Sequence, residues 1–149
     1  MSSNPSIIDI SSKKTILRRA KATGVLVVPP QALELALRGT TSKGDLRESS
    51  TIAAIMAVKN TSTSLPHCHP IPIDSCTVDW EDEDLGLRCT VTVTATAKTG
   101  VEMEALCGVS AGLLCALDML KPILKDPNGQ YPGTSIEAIQ VVSKHKDPA

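Results

Sequence analysis

Pro66-His67-Cys68-His69-Pro70 sets two imidazoles and a thiol side by side. Such a set invites zinc, yet neighbouring positions in a proline-bounded loop cannot easily all face one ion, and no second ligand cluster stands elsewhere. The other readings are a histidine hydrogen-bonded to backbone, or one that moves a proton or holds phosphate. Gly100-Val101-Glu102-Met103-Glu104 carries two carboxylates where a helix should begin. The helix dipole favours acidic groups there by about 0.3–1 kcal/mol, so capping is the plain reading. Two residues apart on a helix they diverge, and both serve one site only if the backbone is not yet helical. Asp118 and Lys121 are three apart and share a helix face. Most such pairs are solvated, but beside a buried helix a lysine and a carboxylate can exchange protons near neutral pH. Lys43-Gly44-Asp45 reads alone as a surface turn. Arg18, Arg19, Lys21, Lys144 and Lys146 read as solvated cations.

Hydrophobic patterning predicts the elements that must position these groups. Residues 1–7 read as a disordered leader, and an apolar run over 24–28, stopped by Pro29-Pro30, suits a strand. A helix over 31–38 follows, with Pro30 near its first turn. Residues 39–48 form a loop, after which Ser49 or Ser50 caps a helix running to Asn60. Three prolines make 62–72 ordered but irregular. Residues 73–80 and 87–98 are strand-like, joined by a hairpin turn made of the acidic 81–84 with Gly86. Alternation from Thr90 to Ala97 predicts one buried face and one coated with threonine. A long helix spans 101–124, ended by Pro127-Asn128-Gly129, and a last strand covers 136–144.

The order is βαββαβ with an additional short N-terminal helix, a ferredoxin-like α+β sandwich forming a single domain over 1–149. That fold decides nothing about function. From 105 to 117 the long helix is apolar or small on nearly every side, so it should be buried all round. One sheet covers one face, and Gly108, Ala111 and Gly112 would admit another helix, which predicts a second subunit.

The 149 residues carry a formal net charge of −1, with hydrophobic residues at 42% and charged residues at 21%. No overall field exists to draw nucleic acid, so an anionic ligand must meet a local cation cluster. One Trp, one Tyr and no Phe leave few rings for stacking bases. No apolar run reaches the roughly 20 residues of a membrane span, and the start lacks a signal peptide, which predicts a cytoplasmic protein. The five cysteines, odd in number and unpatterned, read as reduced core thiols.

Asp9-Ile10-Ser11, Lys43-Gly44-Asp45, Cys68-His69-Pro70, the block Lys98-Thr99-Gly100-Val101-Glu102-Met103-Glu104-Ala105-Leu106, and Asp118-Met119-Leu120-Lys121 occur in this order. In them, from about Ile8 to Lys144, the chain resembles the MoaC-type cyclic pyranopterin monophosphate synthases of molybdenum cofactor biosynthesis. The resemblance implies a ferredoxin-like subunit in a hexamer of three dimers, with active sites where two subunits meet. It implies a lyase without cofactor or bound metal, although magnesium can accompany the triphosphate. The implied substrate is 3′,8-cyclo-7,8-dihydroguanosine 5′-triphosphate, made from GTP. Its guanine-derived ring is opened and rebuilt as a pyranopterin, and a cyclic phosphate closes with loss of pyrophosphate.

Carried over by motif, Asp118 and Lys121 resemble the central acid–base pair and Lys43 a catalytic, phosphate-facing lysine. His69, Cys68, Glu102, Met103, Glu104, Lys144 and Arg18 would bind substrate. Two departures stand out: His67 replaces an expected apolar residue, and Ser143-Lys144-His145-Lys146 lacks a glycine-rich lysine tail. The rivals are a ferredoxin-like nucleotide-binding regulatory module without turnover, and a metal-dependent hydrolase using His67, Cys68 and His69.

Overall fold

The computed structural model describes residues 4–147. In chain order it contains β1 (Ile16–Val27), α1 (Pro30–Arg38), the two-residue strands β2 (Thr40–Thr41) and β3 (Gly44–Asp45), and α2 (Leu46–Lys59). After the single turn α3 (Thr61–Ser64) come β4 (Ser75–Glu83), β5 (Gly86–Ala97), α4 (Glu102–Leu124) and β6 (Ser135–Lys146). The leader expected over 1–7 lies partly outside the described residues; 4–7 are exposed and carry neither helix nor strand.

The main sheet has the order β4-β5-β1-β6, and every neighbouring pair is antiparallel. This is the ferredoxin-like arrangement, with α1 as the additional short helix. Along β5, Leu87, Cys89, Val91, Val93, Ala95 and Ala97 are buried while the intervening threonines face away, as period-two alternation requires. α4 packs on β1, β5 and β6; α2 packs on β4 and against α4. By length and hydropathy α4 could cross a bilayer, unlike the expectation from apolar runs alone. Its packing as the central helix of the core accounts for that composition.

Four expectations are corrected. β1 begins at Ile16, eight residues before the apolar run, because its inward positions are the small Ala20 and Ala22 while Arg19 and Lys21 face outward. α2 begins at Leu46, capped by Asp45, whose carboxylate accepts from the Glu48 amide at 2.8 Å. Such a cap contributes about 1 kcal/mol. Glu81, Asp82 and Glu83 belong to β4, so the hairpin turn is only Asp84-Leu85. The small residues of α4 mainly serve its own subunit. A Cβ at Gly108 would lie 2.8 Å from Val58 Cγ2, and one at Gly112 3.4 Å from the Ala54 Cβ, so α2 occupies that groove.

All five cysteines are free, and only Cys89 is fully buried. Burial pushes the Cys89 thiol up to about 12, which suits an inert core position.

Candidate active site

At the first turn of α4, the strand end Thr99-Gly100 and the loop after α3 enclose a recess of about 180 Å³. Cys68, His69, Glu102, Met103 and Glu104 line it, with His67 at the wall. Both carboxylates therefore reach one recess although Glu102 is already helical. Gly100 makes this possible: a Cβ there would lie 2.0 Å from Glu102 Oε2, so only glycine lets the Glu102 carboxylate rest against the backbone.

Two cations from the sheet frame Glu102. Lys144 of β6 places Nζ 2.6 Å from Glu102 Oε1. Arg18, 7% exposed on β1, donates Nε to the Ala97 carbonyl at 3.0 Å and Nη2 to the Lys98 carbonyl at 3.2 Å. Its guanidinium thus ties down the end of β5 while keeping a positive charge near Glu102. Burial alone would raise the Glu102 carboxyl, but the Lys144 hydrogen bond, its own amide, and the charges of Lys144 and Arg18 hold it below the usual range. Glu104 behaves oppositely. At 3% exposure, burial raises its carboxyl and repulsion from Glu102 adds to the rise, against a lowering by its own amide. The two neighbouring carboxyls are thereby pushed apart, Glu102 toward the anion and Glu104 toward holding its proton more tightly than an ordinary glutamate.

The loop contributes a polar wall. His69 donates Nε2–H to the Ile8 carbonyl at 2.7 Å, so the segment before β1 fixes the ring. Ser11 donates its amide to Asp9 Oδ1 at 2.9 Å, and Lys98 Nζ reaches the Ser11 carbonyl at 3.4 Å. Burial raises the Cys68 thiol, helped by Glu104 and Cys107, leaving it a poor thiolate. Among the described residues, no three His, Cys, Asp or Glu side chains gather as metal ligands. His67, Cys68 and His69 share a wall without converging.

A second cluster forms near the far end of α4. Lys43 Nζ lies 3.2 Å from Asp118 Oδ2 and 3.1 Å from the Asp118 carbonyl, and Lys121 Nζ lies 3.6 Å from Asp118 Oδ1. Lys43 occupies the turn between β2 and β3, where Gly44 adopts φ 117°, a left-handed conformation that favours glycine. Thr41 locks this turn by accepting from the Lys43 amide at 3.1 Å and donating to the Gly44 carbonyl at 2.8 Å. The sequence reading passed over Thr41, though a threonine two residues before a Lys-Gly pair is a turn signal. Asp45 is the cap of α2, which anchors the other side of the turn. Asp118 is held below the usual carboxylate range, first by the Lys43 hydrogen bond and charge, then by Lys121.

The two clusters stay apart within one chain. Glu104 and Asp118 are 14 residues apart on α4, about 21 Å at 1.5 Å per residue. One end holds Arg18, Lys144, Cys68, His69, Glu102, Met103 and Glu104, and the other holds Lys43, Asp118 and Lys121.

The family model described as the MoaC family matches residues 7–147. Relatives named probable cyclic pyranopterin monophosphate synthase include one from Methanoregula boonei, 45% identical over 94% of this chain and 90% of its own length. Another, from Thermococcus onnurineus, is 43% identical over 95% of this chain and 90% of its own. A third, from Archaeoglobus fulgidus, is 44% identical over 94% and 90%. The family match runs through both clusters, from the segment that fixes His69 to the strand that carries Lys144, and with these relatives it shows that the chain belongs to the MoaC family.

Proposed function

We propose that this chain is a cyclic pyranopterin monophosphate synthase, a pyrophosphate-releasing lyase of molybdenum cofactor biosynthesis. It converts 3′,8-cyclo-7,8-dihydroguanosine 5′-triphosphate to cyclic pyranopterin monophosphate, in the cytoplasm. The observation that carries the reading is Asp118 held between Lys43 and Lys121. An ionised carboxylate beside two ammonium groups can accept a proton from one substrate atom and return one to another. The lysines also oppose the charge of a triphosphate. In the closing step a substrate hydroxyl oxygen bonds to the α-phosphorus, the bond from that phosphorus to the bridging oxygen breaks, and pyrophosphate leaves. Asp118 takes the hydroxyl proton and Lys43 steadies the departing charge. Glu104, whose carboxyl holds its proton the more tightly of the two, and Glu102, as an anion set by Lys144, serve the proton transfers of ring opening and reclosure.

Both clusters act on one substrate when two subunits supply them. Met103 and Leu114 on α4 are 43% and 58% exposed, and Cys107, Ser110 and Leu117 between and beyond them are half-exposed. Their spacing of four, three, four and three is that of a helix-pairing seam. Ala111 lies midway between Glu104 and Asp118, so a twofold axis there would set the start of one α4 beside the end of its partner. Ile139, Val141 and Val142 are exposed apolar residues on the edge strand β6, a further surface through which dimers can assemble, in a hexamer of three dimers. Incubation with the cyclised triphosphate is expected to release pyrophosphate and a cyclic-phosphate pterin in equal amounts. Binding without release of either would support a nucleotide-sensing module and reject the synthase.

A further inference from the structure

Glu104 lines two recesses at once. Behind the recess it shares with Cys68, His69 and Glu102 lies a second, of about 230 Å³, walled by Lys59, Thr61, Ser62, Pro70 and Pro72. Ile71 touches both, so the Cys68-to-Pro72 loop is the partition. The rear recess shares Lys59, Ile71 and Pro72 with a groove of about 500 Å³ between the end of α2 and the start of β4.

Among the described residues no other side chain hydrogen-bonds to the Glu104 carboxyl; its own amide is the group that does. The residue is 3% exposed and its carboxyl borders both recesses, so water in either space can hydrogen-bond it. The rear recess can hold such water, since it is several times the roughly 30 Å³ that a water occupies. Lys59 offers a donor at its wall. Thr61 spends its hydroxyl proton on the Ala57 and Val58 carbonyls at 3.0 and 3.1 Å, leaving its oxygen to accept from water.

We propose that the rear recess is a water-filled conduit through which Glu104 exchanges protons with solvent while substrate fills the recess in front. The proposal rests on the synthase reading above. The titratable groups around Glu104 are Glu102 and Cys107 on its own helix, His67, Cys68 and His69 on the loop in front, and Lys59 behind. Each proton that Glu104 gives to a substrate nitrogen is replaced by one from the adjacent water, and the deficit passes outward to bulk. Lys59 is a positioning residue for that water, and Ser62 only borders the space; neither touches substrate.

Ser62→Leu would fill the recess, and Ser62→Ala would leave it open. Two readouts apply: steady-state kinetics, and deuterium exchange of the Glu104 carboxylic C=O infrared band, recorded at a pH low enough to protonate the group and identified by its loss in Glu104→Gln. Ser62→Leu is expected to lower kcat by about ten-fold or more with KM within about twofold, and to slow the exchange comparably. Ser62→Ala should match the parent protein in both. An intact Ser62→Leu assembly with unslowed exchange, or with kcat within about twofold of the parent, overturns the conduit. Should Ser62→Leu not assemble, Lys59→Phe at the mouth of the recess is the second obstruction, read the same way. A parent protein that exchanges its band normally but releases no pyrophosphate would instead reject the synthase reading.

Discussion

Asp118 is exposed, and company rather than burial sets its charge: two lysines reach it from different elements. Truncating it costs little packing, so the effect should fall on chemistry. Asp118→Ala and Lys121→Ala are each expected to bring turnover below about a tenth of the parent rate with the oligomer intact. Lys43→Ala should do the same and also weaken substrate binding. A rate above that threshold in any of them removes that residue from the mechanism. A pH profile probes the other cluster. Lys144→Met removes the hydrogen bond and charge that most oppose burial at Glu102, so the carboxyl must rise. The acid limb of kcat/KM is then expected to move to higher pH, and the Glu102→Gln background should abolish the move. An unmoved limb in Lys144→Met separates Glu102 from the rate.

At the scale of elements, glycines show where close approach matters. At Gly100 the obstructing atom is the free end of the Glu102 side chain, so Gly100→Ala should fold normally and lose activity by displacing that carboxylate. At Gly108 the obstruction is a packed valine, and Gly108→Ala should cost about 1–3 kcal/mol in denaturant unfolding. Gly112→Ala, whose Cβ would meet ordinary contacts from 3.4 Å, should cost clearly less. Equal losses at both would contradict the α2–α4 packing.

The same elements show what sequence makes legible. β5 and α4 announce themselves because their inward residues are large or strictly periodic. The first half of β1 does not, since Ala20 and Ala22 carry a weak hydrophobic signal between Arg19 and Lys21. Ser49 and Ser50 resemble caps, yet Ser50 is buried within α2 and Asp45 takes the role, a choice set by where the β2–β3 turn ends. Motif residues were legible one by one, but their division between two ends of α4 depends on Lys43 and Lys144 arriving from distant segments. The contact of Ile8 with His69 has no sequence signal at all.

At the scale of the molecule, the exposed seam of α4 and the separation of the clusters are the two observations behind the proposed pocket built by two chains. Leu114→Glu places a charge in the seam and is expected to split the dimer and abolish turnover together; sizing and assay on one sample check this, and an active monomer would refute it. Complementation is the most direct measurement. Glu104→Ala and Asp118→Ala proteins, each inactive alone, are mixed in equal amounts and allowed to exchange subunits, with exchange followed by mass spectrometry. Random pairing gives about one pocket in four an intact Glu104 from one chain and an intact Asp118 from the other, so about a quarter of the parent activity should return. Confirmed exchange with no recovered activity would contradict the shared site.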